Sequence, residues 1–313
     1  VGSALVAMEQ GEYHRALQEV EEALHRDRRC ADAYIARGRV LTAQGRVLPV
    51  DSGAWLPGAL EAFRHALRLE PESDPARYHE AMAFYWAGTL AAARGALAPI
   101  IARNRGELVP AAMAQTERIQ QIERASPGSP RGLDIARRDQ LTRAELAVLL
   151  VEELKLPELV RQRRLSGHPP GFAPPGAGSP TPPDSASDTG ASWARPWIET
   201  VLRLGVPGLE PMPDGSFAPD EVVTRATYAR VNEGILELIT GDSSLATRYV
   251  GQVSPFPDVR ADSYAYNAIA LSVARGIMST DTVTGRFRPD DTVSGAEALL
   301  IIRDLQNAVR MEF

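Results

Sequence analysis

The chain has 313 residues, a net charge of −6, 44% hydrophobic and 24% charged residues. That length is enough for two or three domains with real cores, and the acidic balance argues against nucleic acid as a main partner. A single cysteine, Cys30, excludes an internal disulfide and a cysteine-rich metal site, and no apolar run approaches the roughly 20 residues of a membrane span.

Residues 1 to about 103 are helical by period. Gly11, Tyr13, Ala16, Val20 and Ala23 place small and large apolar groups on one face. Tyr34, Gly38, Leu41 and Gly45, then Ala59, Phe63, Ala66 and Pro71, mark a second unit. Tyr78, Tyr85, Gly88, Ala93 and Leu97 mark a third. This succession resembles three tetratricopeptide repeats. The small residues let antiparallel helices approach closely, and a Pro near a unit's end stops its second helix. The first unit departs from the pattern, with Arg28 where that Pro belongs. The second carries an insertion, Val47 to Gly58, in the turn between its helices. Trp55 in that insertion is the candidate protein-contact residue; packing on its own repeat is the competing reading. A short solenoid of this kind implies a groove for a protein partner or a purely architectural block.

Residues 111–125 read as a further helix, with Met113, Ile119 and Ile122 as apolar markers. Ser126-Pro127-Gly128-Ser129-Pro130 then breaks the chain. The domain boundary falls here, giving a repeat domain over 1–125 and a second domain over 126–313.

Leu141-Thr142-Arg143-Ala144-Glu145 opens the next helix, with Leu146, Leu149, Leu150 and Leu154 on its apolar stripe. From Ser166 to Gly190, 25 residues include seven Pro and five Gly. Such a stretch prefers extended, solvated backbone and reads as a tether. A second helical repeat starts near Ser192, with Trp193-Ala194-Arg195-Pro196-Trp197, then Pro213-Asp214-Gly215-Ser216-Phe217 and Val223-Thr224-Arg225-Ala226-Thr227. The third runs from Ser254-Pro255-Phe256-Pro257-Asp258-Val259 through Gly285-Arg286-Phe287 to Val293-Ser294-Gly295-Ala296-Glu297.

The order and spacing of these elements over about 131–305 resemble three S-layer homology (SLH) repeats, at about 131–165, 191–241 and 254–305. The first half of the first repeat is not recognisable, and residues 111–125 are the candidate for its first helix. Together the two resemblances imply a fold that is all-α in bulk: a tetratricopeptide helical solenoid followed by a three-repeat SLH helical cluster with short loops.

Thr142 with Glu145, and Ser294 with Glu297, stand at the N-cap and N3 positions of capping boxes. Arg143 and Arg225 follow the capping hydroxyl, where no helix-dipole argument favours a cation. The planar guanidinium suits a carboxylate. The SLH resemblance implies that Arg143 and Arg225 face grooves between repeats and contact acidic wall polysaccharide; a salt bridge to a neighbouring repeat is the alternative. Gly295 replaces that Arg in the third repeat, and Thr227 replaces the acid in the second. Asp258 matches the family's motif Asp, and Trp193 and Tyr264 stand where the family has an aromatic that could stack on a sugar or pack in the core.

No chemistry-bearing motif is present. The five His lack metal-ligand spacing, the alternating oxygen ligands of a calcium loop are missing, and neither a phosphate loop nor a nucleophile elbow occurs. The reading is a protein without catalysis, cofactor or metal. Its expected role is an exported envelope adaptor, with a leader upstream of Val1, that holds an envelope protein through the solenoid. Cell-wall polysaccharide or peptidoglycan would be held by the SLH repeats. The alternative is a structural subunit whose SLH repeats make protein contacts only.

Overall fold

The computed structural model describes residues 1–47, 55–165 and 185–310. Among them are fourteen α-helices and one 3-10 turn, with no strand longer than an isolated bridge. The chain divides into two compact units, Val1–Glu123 and Arg124–Phe313.

The first unit is a run of paired helices: α1 (Gly2–Glu9) with α2 (Tyr13–Arg26), α3 (Ala31–Val47) with α4 (Trp55–Leu69), and α5 (Asp74–Trp86) with α6 (Leu90–Arg103). α7 (Val109–Ala125) follows. Small residues set the spacing between paired helices. Gly38 lies against the Phe63 ring so closely that a Cβ would collide with it, and Ala16, Ala59, Ala66 and Ala93 are fully buried. Ser73 caps α5, accepting the Ala76 N–H, with Pro75 in the first turn where no N–H is needed. In α7, Ile119 and Ile122 are buried as their spacing predicts, but Met113 is exposed.

The second unit contains α8 (Pro130–Ala136), α9 (Arg143–Glu152), α10 (Leu156–Leu165), α11 (Arg195–Leu204), α12 (Arg225–Thr240), α13 (Tyr266–Ala274) and α14 (Gly295–Arg310). Its three second helices, α9, α12 and α14, each pack against the first helix of another repeat: α9 with α11, α12 with α13, and α14 with α8. This cycle identifies α8 as the first helix of the first repeat, in place of residues 111–125. The assignment was not legible because α8 is a helix of only seven residues, too short to show a clear period. Its start is held by Glu153, whose buried carboxylate accepts the Gly128 and Ser129 N–H groups (both 2.9 Å) and the Ser129 hydroxyl (2.8 Å).

The cycle closes on three backbone hydrogen bonds. Leu141 N–H donates to the Val293 carbonyl (2.8 Å), Val293 N–H to Val223 (3.1 Å), and Val223 N–H to Leu141 (2.8 Å). All three side chains are fully buried, so the residue before each capping hydroxyl sits at the centre of the unit.

Candidate functional site

Each junction between repeats is built from the capping hydroxyl outward. Thr142 accepts the Glu145 N–H while the Glu145 carboxylate accepts the Thr142 N–H, a complete capping box. At the third repeat the box is half made. Ser294 accepts the Glu297 N–H (3.2 Å), but the Glu297 carboxylate turns to Arg225.

The motif arginines do not project into open grooves. Arg143 is 5% exposed. Its Nε donates to the Phe217 carbonyl (2.8 Å), and its terminal nitrogens to the Gly208 (3.3 Å) and Glu210 (3.0 Å) carbonyls. The guanidinium also lies 4.8 Å from the Phe217 ring centroid. Arg225 repeats the device one repeat later, with Nε on the Phe287 carbonyl (2.8 Å), Nη2 on the Ser279 carbonyl (2.6 Å) and the Phe287 ring 4.7 Å away. It adds the ion pair with Glu297. Arg143 has Thr227 at the position corresponding to Glu297, and its ion pair is with the more distant Glu221, at 3.8 Å. Desolvation accordingly pulls the Arg143 guanidinium below its ordinary value. These residues fasten the loop of the next repeat, the salt-bridge alternative extended to carbonyls.

Gly295 has a different cause from loss of function. A Cβ there would overlap the Ile135 carbonyl, and the Gly295 N–H donates to the Arg138 carbonyl (3.0 Å). The first repeat lacks the Pro-Asp-Gly loop, and its shorter connection occupies the space a side chain would need.

Asp258 is a loop clamp. Its carboxylate accepts the Phe287 N–H (3.0 Å) and the Arg288 N–H (2.8 Å). Asp188 does the same in the second repeat, accepting from Phe217 (2.7 Å) and Ala218 (2.8 Å). Arg288 (φ 59°) and Ala218 (φ 53°) are left-handed without being glycine, and the clamp holds that backbone in place. Desolvation, the largest single influence, acts upward on both carboxyls; the backbone N–H donors outweigh it and keep both below the usual Asp range. Asp188 was not found from sequence, where residues up to Gly190 read as tether. The signal was available: Asp188 precedes Phe217 by 29 residues, as Asp258 precedes Phe287. The second repeat therefore begins before Ser192, with Thr189 buried and Ser187 N–H on the Gly215 carbonyl (3.0 Å). Residues 166–184 of the tether lie outside the described residues.

The aromatics behave differently. Trp193 is 57% exposed and Tyr264 78% exposed. Each directly precedes the buried alanine, Ala194 or Ala265, that forms the N-cap of the following helix. Equivalent position and equivalent exposure exclude the core-packing alternative. Trp193 lies beside Trp197 (centroids 6.1 Å), and the Arg131 guanidinium covers the Trp197 ring at 4.8 Å. Arg230 stands 5.7 Å from the Tyr264 ring. Both sites thus present an outward aromatic face, with a cation beside Tyr264 and an Arg131–Glu152 ion pair beside Trp197.

Residues 187–229 and 255–299 match the S-layer homology domain. The C-terminal part of this chain carries SLH domains. No curated protein matches the chain. SLH domains bind cell-wall polymers, which places this part of the chain with the cell envelope. No described helix is long and apolar enough to cross a membrane.

In the first unit, Trp55 does not stand on an open loop. It opens α4, and its indole is partly buried on Gly45 of α3, where a Cβ would collide with the ring. The missing side chain at Gly45 makes the slot. Residues 48–54 of the insertion lie outside the described residues.

Proposed function

We propose that this protein is a non-catalytic, exported adaptor of the bacterial envelope. The second unit holds cell-wall polysaccharide or peptidoglycan, and the paired helices of the first, read as tetratricopeptide repeats, hold an envelope protein. The observation that carries the polymer reading is the outward aromatic of each matched SLH segment, Trp193 and Tyr264. A sugar ring stacks its apolar face on such a side chain, and a fixed aromatic loses little conformational freedom on binding. Arg230 supplies hydrogen-bond donors and positive charge beside Tyr264, whereas Arg131, over the neighbouring Trp197 ring, is paired with Glu152 (3.3 Å). In this reading Arg143, Arg225 and Asp258 act as the frame that positions the aromatics.

One observation favours the alternative of protein contacts only: the motif arginines are spent on internal carbonyls. Sedimentation of the full chain with purified sacculi, before and after acid removal of wall-linked polysaccharide, separates the two. Co-sedimentation supports polymer binding, and its loss on acid treatment assigns the polysaccharide. A chain that stays in the supernatant with both preparations overturns polymer binding and leaves the protein-contact reading.

A further inference from the structure

In the first unit, α3 and α5 pack side by side. Arg39 and Arg46, seven residues apart, lie two turns apart on one face of α3. His79, Met82 and Trp86 fall on one face of α5 at helical spacing. The two faces meet: the Arg46 guanidinium lies 3.8 Å from the Trp86 ring centroid, and Arg39 is within electrostatic reach of His79.

Elsewhere in this unit Arg15, Arg37, Arg94 and Arg103 are each paired with a carboxylate. Among the described residues, neither Arg39 nor Arg46 has a carboxylate within ion-pair distance. Arg39 and His79 are half-buried. Burial, with Arg39 adding to it, lowers His79 to about 4, so the imidazole is neutral at ordinary pH and the two guanidiniums carry the charge. The one acid on the α3 stripe is Asp32, in the first turn of that helix. A guanidinium held over an indole by its cation–π contact retains N–H donors that can reach a carboxylate.

We propose that the α3–α5 face is a docking site for an acidic segment of a protein partner, its carboxylates held by Arg39 and Arg46 and its apolar atoms resting on Met82 and Trp86. The proposal rests on the reading of the first unit as a protein platform and adds the chemistry of the partner. Charge complementarity commits it to an acidic occupant, because the face carries two cations with no carboxylate at ion-pair distance among the described residues, beside a neutral imidazole.

The test titrates the full chain into short fluorescein-labelled peptides of equal length, one rich in Glu and Asp, one rich in Lys, one neutral. The acidic peptide is expected to bind, to be displaced by salt, and to lose about tenfold or more in affinity with Arg39→Gln or Arg46→Gln. Helicity and melting temperature should be unchanged in both variants. Binding of the neutral or basic peptide instead, with Trp86 fluorescence perturbed, overturns the acidic partner but keeps the platform. No binding by any peptide, unaltered affinity in both variants, or a self-dimer broken by Arg39→Gln overturns the proposal.

Discussion

The backbone at Gly295 touches the Ile135 carbonyl where a side chain would begin. Gly295 therefore closes the cycle of repeats, since α14 can meet the first repeat only without a Cβ at that point. In an exposed helix a Gly→Ala change stabilises by about 1 kcal/mol. Here the sign reverses. Gly295→Ala is expected to destabilise by about 1–3 kcal/mol and Gly295→Arg by more, as overpacking does. Urea midpoints of the two variants check this. A Gly295→Arg protein as stable as the parent would show that the loop of residues 135–140 yields freely.

Arg143 and Arg225 are predicted to matter for stability before binding. Arg143→Met keeps the apolar stem and removes the donors to the Phe217, Gly208 and Glu210 carbonyls. Leaving such acceptors buried costs about 3 kcal/mol. Arg225→Met is expected to cost a similar amount and to release Glu297. Thermal melts of both variants, with polymer binding measured below the transition, distinguish this from a ligand role. Unchanged melting with lost binding would return the arginines to the ligand.

Asp258→Asn tests the loop clamp. The carboxyl is held below the usual Asp range in the folded chain. Its contribution to stability is therefore present above the unfolded value of about 3.9 and is lost as pH falls through the folded value. The variant should be about 1 kcal/mol less stable near neutral pH, the figure discounted for partial exposure. The difference from the parent should shrink below about pH 4. Parallel stability curves down to acid pH would contradict the clamp.

These variants also mark what was readable along the chain. The capping box at Thr142 and Glu145 was legible because it is a local device of fixed spacing. Asp258 was legible because Phe256 and Pro257 announce it, whereas Asp188 carries the same two bonds without those neighbours. The fate of Arg143 was not legible. Its acceptors lie 65 to 74 residues away, and nothing near Arg143 tells whether the next repeat offers a groove or carbonyls. The same holds for Gly295, which reads as a lost arginine until the path of residue 135 is known. Trp55 was placed on a loop because the insertion is rich in Pro and Gly, yet the slot that takes its ring is made by Gly45 on another helix.

Polymer binding through Trp193 and Tyr264 is the central claim, and a binding isotherm of the full chain on purified wall polysaccharide tests it most directly. The parent should saturate. The double variant Trp193→Ala with Tyr264→Ala should lose about tenfold or more in affinity, at roughly 1 kcal/mol or more for each lost stacking contact. Its melting temperature should be unchanged, because both rings are exposed. A double variant that binds as tightly as the parent, or a parent that does not bind at all, would contradict the account.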